Sequence, residues 1–157
     1  MSRTMFQAIL GAALAFGGTG AAPRDVPRTY ALDGAPTPAE SATVRAVLGR
    51  YFGREWSDFE TSAGRQVTFT VGHADLDGDG RADLLIHLND DKFGYCSSHG
   101  CQGLAIMATK EGYAQKPLNL AFFYETLTVL PAIQNGMHDL RYDDSLHVFH
   151  WNGTEYR

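Results

Sequence analysis

The chain has little of several features that would assign it to a common functional class. It lacks a run of about 20 apolar residues, the length that a membrane-spanning helix needs. It also lacks basic excess: 13 Lys and Arg stand against 18 Asp and Glu, a net charge of −5, which argues against nucleic acid or anionic lipid as a partner. There is no phosphate-binding loop, no dinucleotide fingerprint and no internal repeat. With only two cysteines in 157 residues, any disulfide framework is limited to one bridge.

The first residues of the chain have the pattern of a secretory signal peptide. Arg3 gives a positive start, residues 5–16 form an almost uncharged apolar run, and small residues at 19–22 offer a cleavage site. A membrane anchor is the alternative, but the run breaks at Gly17-Gly18 and no basic cluster follows. We therefore expect a periplasmic or secreted protein with no membrane span after removal of residues 1–22. The mature chain keeps 12 Lys and Arg against 18 Asp and Glu, a net charge of −6, which is compatible with a basic partner.

The rest of the chain predicts an extended arm over residues 23–36 and a single α+β domain over residues 37–157. The arm has several prolines and glycines and no apolar periodicity. Thr37-Pro38-Ala39-Glu40 matches a capping box and starts a helix that Gly53 is placed to end. One face of that helix is apolar: Val44, Val47, Leu48, Tyr51 and Phe52.

Beyond residue 66 the period of the pattern changes to that of strands. Val67, Phe69 and Val71 alternate with threonines, and residues 84–86 form an apolar run typical of a strand buried on both faces. Further strands are predicted at 104–108, 118–124, 127–130 and 146–151, and Asn152-Gly153 predicts a hairpin. The fold class is therefore α+β, with one N-terminal amphipathic helix packed on a mainly antiparallel sheet.

Between the first two strands lies an acidic loop, with carboxylates at Asp75, Asp77, Asp79 and Asp83. A hard divalent cation needs several oxygens at about 2.3–2.6 Å, and alternating carboxylates with glycines between them can supply such a set. Calcium is the expected cofactor, and the cation should also hold the predicted hairpin together. The alternative is a solvated acidic turn without metal.

This loop starts like an EF-hand loop, but Ile86 stands where the bidentate glutamate would be, and strands flank it. It resembles the Asp-x-Asp-x-Asp-Gly-x-x-Asp calcium loops of FG-GAP and integrin-type propeller repeats, which join two strands. The resemblance covers about fifteen residues, and one copy does not make a propeller. It implies that Asp75, Asp77, Asp79 and Asp83 coordinate through their side chains and Arg81 through its backbone carbonyl.

The two cysteines, Cys96 and Cys101, enclose Ser-Ser-His-Gly. In an oxidising compartment, cysteines at this spacing are expected to form a disulfide that closes a short loop. Two alternatives stay open: a redox centre, although thioredoxin-like centres have two residues between their cysteines, and a zinc site. The zinc site would use Cys96, His99 and Cys101 with His73 or His87.

Two resemblances concern the cysteine loop. The first is a resemblance to a group of uncharacterised exported bacterial proteins. They share with this chain the order of an Asp-x-Asp-Gly-Asp-Gly loop, an apolar strand, an aromatic-Cys-x-x-x-Gly-Cys turn and a further apolar strand. This resemblance implies an exported calcium-loop domain. Cys-x-x-His-x-Cys resembles the disulfide-closed loop of Ivy-type periplasmic inhibitors of lysozyme. In those inhibitors the loop histidine meets two carboxylates in the lysozyme cleft, which implies that role for His99. Gly100 departs from that pattern, which has an acidic residue at this position. The alternative for His99 is an exposed turn residue without a functional role.

The sequence supplies no catalytic residues that we can assign, since no local Ser-His-acid constellation or oxyanion turn is evident. The leading interpretation is an exported, calcium-binding, non-enzymatic recognition domain that inhibits lysozyme or another basic peptidoglycan hydrolase. The alternatives are a secreted calcium-dependent hydrolase and an envelope structural module without an active site.

Overall fold

A computed structural model describes residues 26–157, so the predicted signal peptide and the first residues of the predicted arm lie outside the described part. The described residues form two helices and mostly antiparallel sheets, which confirms the α+β class. Within residues 26–157, no helix has both the length and the apolar character that crossing a membrane requires.

The first helix, α1, spans Pro38–Phe52 and begins as the sequence predicts. Thr37 Oγ1 accepts a hydrogen bond from the backbone N–H of Glu40 at 3.3 Å, and the backbone N–H of Thr37 donates to Glu40 Oε2 at 2.7 Å. Both halves of the capping box are therefore made. Gly53, with φ of 58°, ends the helix.

A second helix, α2, spans Arg54–Ala63, so the prediction of a single helix is wrong. Its sequence is mostly polar, and Trp56 is its one buried residue. The segment is nevertheless amphipathic, because Trp56 and Phe59 both lie on the face that packs in the core cluster on the helix side of the sheet.

The central sheet has five strands, and β3 lies between β2 and β5 within it. All six residues of β3 are buried. The order is β2-β3-β5-β4, and β8 also pairs with β5; every pairing is antiparallel. Its strands are β2 Thr70–Ala74, β3 Asp83–Leu88, β4 Cys96–Ser97, β5 Gly100–Ile106 and β8 Leu118–Phe123.

A second sheet has the order β1-β9-β10. Its strands are β1 Arg28–Ala31, β9 Thr126–Gln134 and β10 Met137–Tyr142, and a small separate hairpin pairs β6 Ala108–Thr109 with β7 Gly112–Tyr113. Strand β1 lies within the segment expected as an extended arm, and it pairs with β9 as part of the fold.

Strand β10 is missing from the sequence prediction, although an Asn-Gly pair marks its start. Asn135 and Gly136 both have positive φ, 50° and 84°, as a tight two-residue hairpin requires. The predicted strand at 146–151 is not formed; there the chain makes only isolated bridges. At Asn152-Gly153 the chain does fold back, but Asn152 Oδ1 accepts from the backbone N–H groups of Thr154 and Glu155 at 2.8 and 2.9 Å, so the side chain shapes this turn.

The central sheet is covered on both faces. On one face, Val44 and Leu48 of α1 pack in a core cluster with Leu84 and Ile86 of β3. On the other face, Leu85 of β3 belongs to a cluster with the second sheet. The molecule therefore has three layers: helices, central sheet and second sheet.

An ion pair fastens the end of β3 to the segment before β2. The carboxylate of Asp90 is almost fully buried and accepts from both terminal nitrogens of Arg65, at 2.6 and 2.9 Å. It also accepts from the backbone N–H groups of Thr68 at 3.0 Å and Lys92 at 3.2 Å. The Arg65 guanidinium and these N–H groups hold the pKa of Asp90 well below its usual range.

We predict that Asp90→Asn lowers the free energy of unfolding by about 2 kcal/mol at neutral pH, because charge-assisted hydrogen bonds are lost. Since the pKa of Asp90 is lower in the folded state, its contribution is full above the unfolded pKa of about 4 and is lost as the pH falls below it. Urea denaturation between pH 7 and pH 2 tests this, because the variant should lose less stability on acidification than the wild type. The neighbouring exposed Asp91→Asn is the control and should behave as wild type; equal pH slopes for Asp90→Asn and wild type would contradict the prediction.

Candidate functional site

The acidic loop connects β2 to β3, and the pairing of Ala74 with Asp83 brings its two ends together. Within it, the Asp75 carboxylate organises the backbone. It accepts from the N–H groups of Gly78 at 2.7 Å, Asp79 at 3.1 Å and Gly80 at 2.8 Å. The loop is thus closed around one carboxylate by local hydrogen bonds.

Asp83 ties this loop to the rest of the sheet. It is the first residue of β3 and is 1% exposed. Its carboxylate accepts from the backbone N–H of Leu76 and from that of Ala108, each at 2.8 Å. One side chain therefore joins the start of the loop, the start of β3 and the start of β6.

Three of the predicted ligands converge. Oxygen atoms of Asp75, Asp77 and Asp83 all lie within 4.8 Å of one another, a group that could hold a metal ion. Burial raises the pKa of Asp83 to about 6, although two N–H groups oppose the shift. Burial, and then the neighbouring Asp75, raise the pKa of Asp77. A bound cation stabilises the ionised form of carboxylates whose pKa is raised in this way. The donor set therefore fits a hard divalent ion.

Asp79 and Arg81 lie differently from the other predicted ligands. The carboxylate of Asp79 is bonded to the Arg81 guanidinium, and its Oδ1 accepts from the Arg81 backbone N–H at 2.8 Å. Asp79 does not belong to the three-carboxylate group. Coordination by Asp79 and by the Arg81 carbonyl stays a prediction of the resemblance.

A histidine that the sequence analysis did not select lies beside the loop. The Nδ1 of His138 is 2.6 Å from the carbonyl oxygen of Leu130, so Nδ1 carries the hydrogen and Nε2 is left as an acceptor. That Nε2 is 3.4 Å from where a Cβ on Gly78 would stand. His138 and Asp75 also line a cavity of about 170 Å³. No local sequence signal places His138 there, because the contact depends on how β10 packs on the loop.

The cysteine loop is closed as predicted. Cys96 and Cys101 form a disulfide, and they are register partners on β4 and β5. With the two sulfurs bonded to each other, neither is a thiolate ligand for zinc. The other candidate zinc ligands are engaged elsewhere: His73 Nε2 lies 2.7 Å from Glu40 Oε1, and His87 Nε2 lies 3.0 Å from the Phe123 carbonyl oxygen.

His99 is exposed at the tip of this disulfide-closed hairpin. Its backbone N–H donates to Ser97 Oγ at 3.1 Å, and its Nδ1 lies 3.3 Å from Ser98 Oγ. The hydroxyl of Tyr124 donates to the Ser98 carbonyl at 2.6 Å and so braces the tip from the end of β8. The hairpin presents the imidazole on a short, supported loop.

Gly100, which departs from the inhibitor pattern, is required by the packing here. It has φ of 95°, and a Cβ on it would stand 2.1 Å from the carbonyl oxygen of Phe123. An acidic residue cannot be placed at this position without moving β8.

Comparison of the chain with known proteins finds no matching family model, no matching curated protein and no matching solved structure. The resemblances at the acidic loop and the cysteine loop therefore stay expectations. What the chain can do has to be argued from its own side chains.

We predict that calcium raises the melting temperature of the wild-type protein and that a chelator reverses the rise, because a bound cation offsets the repulsion among Asp75, Asp77 and Asp83. Asp77→Asn should abolish the calcium response. Without divalent cation it should be at least as stable as wild type, because one repelling charge is gone. Thermal unfolding with calcium and with chelator measures both effects, and the exposed Asp58→Asn on α2 is the control. Superimposable wild-type curves in the two conditions would exclude the metal site.

We also predict that Gly100→Ala lowers the free energy of unfolding by about 3 kcal/mol or more, because the new methyl group clashes with backbone that cannot yield. Gly112→Ala is a matched control, since φ is also positive, at 126°, but nothing lies within 4 Å of its Cβ. It should cost about 1 kcal/mol. Chemical denaturation of both variants is the measurement, and equal losses would disprove the close contact with Phe123.

Proposed function

We propose that this chain is an exported, calcium-stabilised recognition domain that inhibits a basic peptidoglycan hydrolase of the lysozyme type through its disulfide loop. The observation that carries the proposal is the exposed position of His99 at the tip of a hairpin closed by Cys96–Cys101. A loop inhibitor needs a projecting side chain on a support that does not have to be ordered on binding, because ordering costs free energy.

Two contacts support such preorganisation. The disulfide fixes the base of the hairpin, and the hydrogen bond from Tyr124 to Ser98 fixes its tip. By resemblance to the Ivy-type loop, the imidazole of His99 enters the hydrolase cleft and bonds to its two carboxylates. A histidine between two carboxylates makes charge-assisted hydrogen bonds when protonated, the stronger class of such bonds.

The surroundings of the loop favour a basic partner. A cavity of about 430 Å³ lies beside the hairpin, and Cys101, Tyr124, Asp33 and Glu125 are among the residues that line it. Among residues 26–157, no Lys or Arg lines this cavity. Together with the net charge of −5, this arrangement attracts a cationic surface and speeds its encounter with the loop.

Calcium has a structural role in this proposal. The acidic loop and the disulfide hairpin contact different parts of the central sheet, at the start of β3 and at the start of β5. The cation therefore stabilises the sheet that carries the hairpin and does not itself contact the hydrolase. Calcium, with its tolerance of irregular oxygen sets, suits a shallow loop of carboxylates better than magnesium does.

We predict that the calcium-loaded protein inhibits a lysozyme or a related muramidase in a cell-wall lysis assay. His99→Ala should weaken this inhibition about 30-fold or more, because loss of a central contact in an inhibitor loop typically costs about 2 kcal/mol or more. The matched control is His147→Ala, another exposed histidine outside the loop.

Inhibition by His99→Ala equal to that of wild type would reject the role of the loop, and absence of inhibition across a panel of muramidases would reject the function. The same panel includes the protein alone with cell-wall and ester substrates. Turnover there, lost on a single polar substitution, would favour the alternative of a secreted hydrolase.

A further inference from the structure

A groove between the helices and the central sheet has the dimensions of a small-molecule site. Its volume is about 440 Å³, within the range of about 300–1,000 Å³ usual for ligand pockets. It lies on the face of the central sheet that the helices cover. The cavity beside the disulfide loop, which Cys101 and His87 line, lies on the opposite face. Its principal lining residues are Tyr51, Phe52, Glu55, Tyr95, Gln102 and Asn119.

One wall of the groove is aromatic and rigid. The ring of Phe52 lies 5.0 Å from that of Tyr51 and 4.8 Å from that of Tyr95. Phe52 is backed in turn by the buried rings of Trp56, at 6.1 Å, and Phe93, at 5.6 Å. Tyr51 nevertheless stays 45% exposed. A large ring held at the surface by core aromatics is a flat apolar platform that a ligand can cover without a large ordering cost.

The other walls carry polar groups with fixed orientation. The Tyr95 hydroxyl donates to both oxygens of the Glu55 carboxylate, at 3.0 and 2.9 Å, and burial together with Glu55 raises the pKa of Tyr95 to about 12. The buried amide of Gln102 donates to Asn119 Oδ1 at 2.6 Å and to the carbonyl of Gly103 at 2.8 Å. Since Oδ1 of Asn119 is the acceptor of that bond, its exposed amide is held with Nδ2 as a donor.

This combination excludes several ligand classes. A fully apolar ligand would cover Glu55 and Asn119 without replacing their bonds to water, which is costly. An anion would meet the carboxylate of Glu55, and in the described part of the chain no Lys or Arg lines the groove to offset that repulsion. A quaternary ammonium ion would use the rings and Glu55, but it would leave the Nδ2 donor of Asn119 without a ligand acceptor. A ligand with an apolar face and a rim of neutral hydroxyl groups can both cover the aromatic wall and form hydrogen bonds with the polar groups of the other walls.

We propose that this groove binds a short neutral saccharide, with the C–H face of one sugar ring on Tyr51 and its hydroxyl groups bonded to Glu55 and Asn119. Sugar rings have such a C–H face, and their hydroxyls both donate and accept, which matches a carboxylate acceptor beside an amide donor. The site needs neither the cation nor His99, so it stands or falls separately from the inhibitor function.

The test is an NMR titration of the ¹⁵N-labelled, calcium-loaded protein with triacetylchitotriose, cellotriose and maltotriose. At least one trisaccharide should shift the side-chain amide signals of Gln102 and Asn119 saturably, with a dissociation constant of about 5 mM or below. Tyr51→Ala should weaken binding about tenfold, as expected for loss of a stacking ring. Leu146→Ala, which removes a large side chain that is 90% exposed outside the groove, should leave it unchanged.

Asn119→Ser is a second variant, followed through the Gln102 amide, and it should weaken binding by a similar factor because the fixed donor is lost. The proposal is overturned if none of the three sugars shifts these signals at about 20 mM, or if Tyr51→Ala and Asn119→Ser bind as wild type does. It is also overturned if choline shifts the groove signals and the sugars do not, because the site would then recognise a cation.

Discussion

The burial of β3 on both of its faces is the constraint on which the other layers depend. All six of its residues, Asp83–Leu88, are buried. Side chains alternate along a strand, so Leu84 and Ile86 need a covering layer on one side and Leu85 needs another on the opposite side. The helices α1 and α2 supply the first layer and the sheet β1-β9-β10 supplies the second.

Because β3 begins at Asp83, the core and the acidic loop share one residue. Its carboxylate is buried with the strand that it starts, and that burial is the main reason why its pKa is raised. The hydrogen bonds that it accepts from the backbone N–H groups of Leu76 and Ala108 also hold the loop against the neighbouring strand. A cation bound at this carboxylate would act on the sheet as well as on the loop, since binding to the folded state alone adds to its stability.

The features that the sequence predicts have their determinants close together in the chain. The capping box of α1 lies within residues 37–40, the carboxylates of the candidate metal site within 75–83, and the disulfide within 96–101. His138 beside the acidic loop and Tyr124 beside the cysteine hairpin were not predicted, because strand pairing brings them there from distant positions. The groove under the helices is non-local for the same reason: its rings come from α1 and from the segment before β4, and its amides come from β5 and β8.

Alternation along β5 places two candidate surfaces on opposite sides of one sheet. Cys101 lines the cavity beside the disulfide hairpin, while the next residue, Gln102, lines the groove under the helices. A slip of one residue in the pairing of β5 would exchange these two faces. The disulfide to Cys96 fixes the register on one side of the strand, and the contact of Gly100 with Phe123 fixes it on the other. The short cysteine loop therefore does more than present His99, because it holds the strand register on which both surfaces depend.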